Sequence, residues 1–451
     1  MKRFIIKTLG CKVNQYESDG IATQLGKHGY HKVDKGSLAD LCIINTCSVT
    51  AKASMQSRQA IRKLIRDNPE AKIIVTGCHS QTEPEQIRSI EGVHHVIGNP
   101  DKTRIAHQIT TNCFKELYPS QDGSDAVLSI CETDGYQSFD PAVFGDMTRA
   151  YLKIQDGCDA FCTYCIVPYA RGKSTSMPES EVMTHLHTLN NSGFKEVILT
   201  GIHTGLYGLD LKPGSSITAL LKQIIDNQPV DRVRLSSIEP KEITDELIRL
   251  MADHSMICNH LHIPLQSGDA GVLEAMGRPY DPAFFKKIIG KIHETIPGVC
   301  IGIDVMVGFP SEDEPAFQNT FELIKTLPLS YLHVFPYSPR KGTRAYEMKN
   351  QSTHQTIQDR CQVLRDLGAL KKRDFLETQM GKPLNGLIQH KADVKTGRLI
   401  AITDNYISVI LDQPDKNRLE QQEQLKGSIV TVTPNQVNMN LQVFGTAEET
   451  Q

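Results

Sequence analysis

The chain has 451 residues, with 49 Lys plus Arg against 52 Asp plus Glu and a formal net charge of −3. That length allows several domains, and the near balance of charge excludes a strongly basic nucleic-acid coat while leaving room for a local RNA-binding patch. With 39% hydrophobic and 22% charged residues the composition is globular, so wholesale disorder is excluded. Phe4, Ile5 and Ile6 form an apolar stretch too short for a signal peptide, and no run approaches the roughly 18 residues that span a bilayer. A cytoplasmic protein with no membrane partner is the expectation. Its twelve cysteines then point to metal or catalysis rather than to disulfides.

Residues 4–9, 41–45 and 72–76 read as short strands, and each runs straight into a cysteine, at Gly10-Cys11, Thr46-Cys47 and Gly77-Cys78. Helical spacing fills the gaps, notably over 51–66, where Ile61, Leu64 and Ile65 recur on one face. Strands alternating with helices imply a parallel sheet, and sites form beyond the carboxyl ends of its strands. Three cysteines distant in sequence can therefore converge at one edge of an α/β domain spanning 1–118. Residues 119–147, rich in Ser, Asp, Gly and Pro, read as a linker or edge segment.

From 148 to 380 the alternation resumes. Candidate strands are 151–155, 196–200, 232–236, 260–264, 300–307 and 331–335, separated by helical patterns at 179–190, 217–225, 284–296 and 314–327. Six such units fit a parallel barrel or part of one, with chemistry at the carboxyl-end loops, and a long helix at 354–379 closes the region. After Gly381 the character changes to short strands at 407–411, 429–432 and 441–444 with turn residues between them. A small antiparallel β-barrel over 381–446 is expected, separate enough to be cut away at Gly381.

Cys158-Asp159-Ala160-Phe161-Cys162-Thr163-Tyr164-Cys165 places three thiols in one loop after a predicted strand. Three thiolates can bind three irons of a cubane cluster and leave the fourth open. A structural zinc wants four ligands, and no second cysteine pair lies nearby. Cys42, Cys113, Cys131, Cys258, Cys300 and Cys361 show no spacing pattern and read as small hydrophobes or surface thiols.

The CxxxCxxC loop, with Tyr164 before its last cysteine, resembles the radical S-adenosylmethionine superfamily, which implies a partial (β/α)6 barrel and a 4Fe-4S cluster on Cys158, Cys162 and Cys165. The same resemblance implies that the S-adenosylmethionine site includes Tyr164, Gly201 after the second barrel strand, Ser237 and Glu239 after the third, Gln266 after the fourth, and the backbone at Val305. Taken with the N-terminal triad and the terminal barrel, the whole chain resembles the methylthiotransferases. In that family a triad like Cys11, Cys47 and Cys78 holds an auxiliary 4Fe-4S cluster that carries the inserted sulfur, and a TRAM-like barrel binds the tRNA anticodon stem-loop. Such enzymes methylate a sulfur with one S-adenosylmethionine and reductively cleave a second to a radical that takes hydrogen from the substrate. A reductant such as flavodoxin or ferredoxin and a sulfur donor are implied partners.

Lys7-Thr8-Leu9-Gly10-Cys11-Lys12-Val13-Asn14, Asn45-Thr46-Cys47-Ser48 and Ser338-Pro339-Arg340-Lys341-Gly342-Thr343 are most similar to the threonylcarbamoyladenosine tRNA branch. His79 departs from that pattern, because similar proteins often have an aromatic there. Threonylcarbamoyl carries a carboxylate, which is costly to bury unpaired, so the pocket should hold a cation. Arg171, Arg340 and Arg344 are the candidates by their closeness to predicted strand ends, with Lys12 behind them. Basic runs at Arg58, Arg62, Lys63 and Arg66, and at Lys371, Lys372 and Arg373, read as solvated helix faces that can also meet RNA phosphates. The rival readings are a methylthiotransferase for isopentenyladenosine or for a ribosomal-protein aspartate. In a different class stands an iron–sulfur redox or RNA-binding protein without radical catalysis.

Overall fold

The computed structural model describes residues 2–34, 36–112, 135–141, 147–350, 352–412 and 424–448. Most of the expected linker, with Cys113 and Cys131, lies outside the described residues. The N-terminal sheet is parallel throughout, with strands β1 (Arg3–Thr8), β2 (His31–Lys32), β3 (Leu41–Thr46), β4 (Lys72–Gly77) and β5 (His95–Val96) in the order β2-β1-β3-β4-β5. Central β3 is buried along its whole length, Leu41–Ile44 as an apolar run and the polar Asn45 and Thr46 by donating to the carbonyls of Asn14 and Thr76. Ile43 on one face joins Ile21 and Leu25 of the helix Lys12–Lys27, and Cys42 and Ile44 on the other join Ile61 of the helix Ala51–Asp67.

The middle region is an arc of parallel strands with helices outside. Its strands are β6 (Arg149–Lys153), β9 (Glu196–Thr200), β10 (Arg232–Leu235), β11 (His260–His262), β12 (Cys300–Val307) and β13 (Tyr331–Pro336), with β7 (Gln155–Asp156) and β8 (Thr175–Ser176) forming an antiparallel pair beside them. The order runs β6-β9-β10 and β11-β12-β13, and parallel bridges at Val233–Ile257 and Ser237–His262 join the two halves. Among the described residues β6 and β13 do not pair with each other, so the barrel is open on one side. The helix Lys12–Lys27 packs on β6, and the helix His354–Thr378 packs on β13. The expected strand 151–155 is in fact two, because the chain leaves the barrel at Ile154 to form the β7–β8 pair. The helix Asp245–Asp253, capped by Thr244, was not anticipated.

The C-terminal strands β14 (Leu384–Ile388), β15 (Ile400–Thr403), β16 (Ser408–Leu411), β17 (Ile429–Val437) and β18 (Val443–Glu448) close into a barrel in the order β14-β15-β16-β18-β17. Two of them escape sequence patterning, since β14 contains Asn385 and Gly386 and β15 has four residues. This barrel is docked, not appended. Arg232 donates to the carbonyls of Asn385 (2.9 Å) and Ile402 (3.0 Å), and Arg234 to those of Asp404 (2.8 Å) and Thr403 (2.9 Å). Tyr406 stacks on His260 with ring centroids 4.4 Å apart. Through these contacts the small barrel sits against the amino-terminal end of the large one. No described helix is long and apolar enough to cross a membrane.

Candidate functional site

Each N-terminal cysteine begins where a strand stops. Cys11 sits at the N-cap of the helix Lys12–Lys27, Cys47 follows β3, and Cys78 opens the short helix Cys78–Thr82 after β4. Parallel pairing in register, with Thr8 opposite Asn45 and Thr46 opposite Gly77, brings the three strand ends level. Asn14 then ties two of the loops together, its Nδ2 donating to the carbonyls of Leu9 (2.7 Å) and Thr46 (3.0 Å). Thr46 Oγ1 donates to the Thr76 carbonyl at 2.6 Å and so ties in the third. A Cβ on Gly10 would lie 3.0 Å from the Cys47 sulfur, so glycine is what lets these loops converge. Cys47 and Cys78 are buried while Cys11 is exposed, which leaves the group open on one side. Burial and the neighbouring Cys78 thiol push the Cys47 thiol up to about 11.

Gly77 has φ +104°, and a Cβ there would come within 2.4 Å of the Thr46 backbone. Gly77→Ala is expected to cost about 1–3 kcal/mol of backbone strain before the steric clash is added. Because the strain falls on the turn that aims Cys78, the variant should lose iron from the N-terminal triad first. Iron and sulfide per chain after anaerobic reconstitution, compared with wild type, checks this.

The second triad lies on the loop after β7, with Cys158, Cys162 and Cys165 all partly exposed. Phe161, at φ +44°, bends the loop between its first two cysteines. Thr163 anchors it, donating from its backbone N to the Met276 carbonyl (2.9 Å) and from Oγ1 to that of Ala275 (2.8 Å). Burial pushes the Cys165 thiol up to about 12. Two side chains reach the sulfurs. Arg278 Nη1 donates to Cys162 Sγ at 3.4 Å while its Nη2 pairs with Glu239, and His203 Nδ1 lies 3.3 Å from Cys158 Sγ while its Nε2 pairs with Glu242. Burial alone would lower the His203 pKa, but the bonds to Cys158 and Glu242 reverse that and push it up to about 10.

Both triads suit clusters better than single ions. A tetrahedral zinc with bonds of about 2.3 Å holds its sulfurs about 3.8 Å apart. Among the described residues, the group of three possible ligands whose atoms all lie within 4.8 Å of one another is His262, Asp304 and His333, and neither cysteine triad is that tight. Wider spacing is what separate irons of one cluster require. In the histidine group His262 Nε2 lies 2.9 Å and His333 Nδ1 3.4 Å from Asp304 Oδ1, and Tyr331 holds the other nitrogen of His262 at 3.0 Å. Two histidines and a carboxylate can ligate a divalent ion. The same distances also satisfy Asp304 as a hydrogen-bond acceptor from both rings.

Around the Cys158 loop the strand ends carry the expected S-adenosylmethionine residues. A Cβ on Gly201 would meet Gln155 Oε1 at 2.8 Å, and that oxygen accepts from the His203 backbone N at 2.8 Å. Ser237 is exposed just past β10, and Glu239 takes part in a capping box with Glu242. Gln266, at φ +67°, bridges to Val305 of β12. Tyr164 packs edge-on against Phe309 at 6.4 Å between centroids. Gln155, Arg278 and Glu242 escaped sequence reading. Gln155 lies at a strand end and was within reach of the same logic, whereas Arg278 follows the helix Ala270–Ala275 and only folding returns it to the loop.

The arginine candidates separate sharply. Arg171 is buried, with Nη1 on Glu17 (2.9 Å) and Asp156 (2.9 Å) and Nη2 on Asn14 (2.7 Å), while Lys102 and Lys153 pair with the same carboxylates. It is committed to a network that joins the first helix of the N-terminal domain to the segment after Cys165, so its geometry is that of a bolt between the two triads. Arg340 is buried and paired with Glu83 at 2.9 Å, and Glu83 also faces the buried His79 at 3.8 Å. Arg344 is exposed on the rim, 3.5 Å from the Phe161 carbonyl. Lys12, half-buried, forms no hydrogen bond or ion pair with any described residue; burial, with the charges of Arg149 and Arg234, pulls it down to about 8.

Comparison with known proteins places this architecture. Residues 3–98 match the uncharacterized protein family UPF0004 and residues 152–324 the radical SAM superfamily. The chain is 40% identical to the threonylcarbamoyladenosine tRNA methylthiotransferase MtaB of Bacillus subtilis, over 89% of each chain. It is 35% identical to the MtaB of Aquifex aeolicus, over 89% of this chain and 95% of that one. A tRNA-2-methylthio-N(6)-dimethylallyladenosine synthase of Acetivibrio thermocellus is 30% identical over 86% of this chain and 81% of its own. Among solved structures, the radical S-adenosylmethionine methyltransferase TsrM of Kitasatospora setae superposes with a TM-score of 0.57 at 15% identity, covering 77% of each chain, a likeness of fold.

Proposed function

The chain belongs to the family of threonylcarbamoyladenosine tRNA methylthiotransferases, and from that membership we propose how its own residues divide the work. The enzyme inserts a methylthio group at C2 of N6-threonylcarbamoyladenosine beside the anticodon of tRNA, by radical S-adenosylmethionine chemistry. Cys158, Cys162 and Cys165 would hold the 4Fe-4S cluster that meets S-adenosylmethionine, and Cys11, Cys47 and Cys78 the auxiliary one. When bound, these groups supply the one-electron chemistry needed to break an unactivated aromatic C–H bond.

The protein's part is to bind and to align. Gly201, Ser237, Glu239 and Gln266, with Tyr164 and the Val305 backbone, line the strand ends around the Cys158 loop and are assigned to S-adenosylmethionine. Arg278 donates to the Cys162 sulfur and the His203 ring lies against the Cys158 sulfur, which keeps that edge polar. The observation that carries the reading is the buried Arg171–Glu17–Asp156 network, which fixes the two open cysteine platforms to one another. The closed C-terminal barrel is assigned to the anticodon stem-loop, and Arg344 to its phosphates at the rim. An external reductant such as flavodoxin or ferredoxin and a sulfur donor complete the reaction.

Nucleoside mass spectrometry of tRNA from a deletion strain complemented with this protein tests the reading. Methylthiolated threonylcarbamoyladenosine should reappear. Restored methylthio-isopentenyladenosine with threonylcarbamoyladenosine left unmodified would show the substrate to be wrong.

A further inference from the structure

The rim of the Cys158 loop gathers uncovered aromatic rings. Five Phe or Tyr side chains are exposed among the described residues, namely Phe161, Tyr169, Phe335, Tyr346 and Tyr406. Tyr406 is already engaged at the amino-terminal end of the large barrel, stacked on His260. The other four stand toward the carboxyl end. Phe161 lies in the cysteine loop itself, and its ring meets that of Tyr169, on the short helix Val167–Arg171, edge to face at 5.7 Å between centroids. Tyr346 belongs to the turn Arg344–Glu347, which is fastened twice to the same loop. The Ala345 backbone N donates to the Thr163 carbonyl at 2.8 Å, and Arg344 Nη2 to the Phe161 carbonyl at 3.5 Å. Phe335 pairs with Met306 near the end of β13.

Apolar side chains scattered singly over a surface need no explanation, whereas a cluster of them marks a binding site. Phe161 supplies a second, independent sign. It is a non-glycine residue at φ +44°, in a backbone region that such residues rarely adopt, and its side chain is left 44% exposed. Strain that holds an aromatic ring out in water adds nothing to a core. Its neighbour Tyr169 is 46% exposed, so the two rings brace one another and still offer surface to a ligand.

The chemistry of the site says what covers them. C2 of the target adenosine can be reached only when that nucleotide is taken out of its stack, which uncovers the bases on either side. Unpaired RNA bases are held by stacking on aromatic rings and arginine planes, and their phosphates by cations. Arg344 shares the turn of Tyr346 and touches the loop of Phe161, so rings and cation stand on one rim.

We propose that Phe161, Tyr169 and Tyr346 form a stacking platform for the unpaired anticodon-loop bases that flank the target adenosine, with Arg344 on the adjoining phosphates. The assignment rests on the tRNA reading above and deepens it. Stacking tolerates any base, so the platform holds the neighbours in place without selecting among them.

The test uses the full chain with both clusters reconstituted and three anticodon stem-loop RNAs that carry threonylcarbamoyladenosine. One has the natural loop, and the other two lack the base on the 5′ or on the 3′ side of the modified adenosine. Wild type should bind at least one of these abasic loops about tenfold more weakly than the natural one, the effect of losing one stacked base. The double variant Tyr169→Ala/Tyr346→Ala should bind all three RNAs with the same weakened affinity, and Tyr169→Phe/Tyr346→Phe should behave as wild type. Iron content equal to wild type shows that the loop still holds its cluster. If iron falls, Tyr169→Leu/Tyr346→Leu, which keeps apolar bulk without an aromatic face, replaces the alanine pair in the comparison. Equal binding of the three RNAs by wild type, or an abasic penalty that persists in the variant, overturns the assignment. Unchanged RNA binding with slower reduction by flavodoxin overturns it too, and gives the rings to the docking of the reductant. Wild type that binds none of the RNAs would overturn the tRNA reading itself. The expected penalty without methylthio product would support the platform and refute the catalytic reading instead.

Discussion

Replacing Cys158, Cys162 and Cys165 together with Ala is expected to remove about half the iron of the reconstituted protein and to abolish 5′-deoxyadenosine formation, since three thiolates anchor one cubane cluster. Replacing Cys11, Cys47 and Cys78 should remove the other half, leave that cleavage measurable, and stop methylthio transfer. The structure explains why the two losses should be separable. The N-terminal triad is fixed by Asn14, Thr46 and Gly77, and the core triad by Thr163 and Arg278, so each platform has its own supports. Methylthio product from the N-terminal triple variant would show that this division of labour is wrong.

The second large effect is expected at Glu196, which touches neither cysteine triad. It is fully buried, and Arg232 and Arg234, which it holds, reach across to four carbonyls of the C-terminal barrel. Removing one partner of a buried ion pair typically costs about 3–5 kcal/mol, because the other charge is left uncompensated. Glu196→Ala should therefore lower the melting temperature sharply and loosen the C-terminal barrel, with faster amide exchange in β14 and β15. Glu196→Gln should fall between it and wild type. Burial would raise the Glu196 carboxyl, but Arg232 and Arg234 outweigh it and hold the group down at about 2 against an ordinary 4.5. A depressed folded-state value means that this stability is present above pH 4.5 and is lost as pH falls toward about 2. Thermal unfolding of wild type and Glu196→Gln from neutral to acid pH should show the two curves converging in that window. Parallel curves would mean that Glu196 is not the linked group.

The same contacts change how the C-terminal barrel must be studied. A chain cut at Gly381 would strand Arg232 and Arg234 without their carbonyl acceptors and uncover Leu376, which packs in the barrel core. Loss of activity in such a truncation would report damage to the catalytic barrel as much as loss of RNA binding.

Much of the protein was legible without coordinates because its signals are local. A strand ending in Gly-Cys or Thr-Cys, three times over, is a local pattern, and parallel pairing in register turns it into convergence. The CxxxCxxC loop carries its ligands within eight residues, and the buried strands 196–200 and 300–307 were read to the residue from their runs of apolar side chains. What tertiary structure alone decided was the fate of the charges. Arg171, Arg340, Arg344 and Lys12 look equivalent as cations near strand ends. Their roles depend on whether Glu17, 154 residues from Arg171, and Glu83, 257 residues from Arg340, arrive to neutralise them. Ion pairing acts over a few ångströms between residues brought together by folding, so no spacing rule along the chain records it. The docking of the small barrel has the same origin, since the side chains of Arg232 and Arg234 grip backbone carbonyls that any sequence would supply.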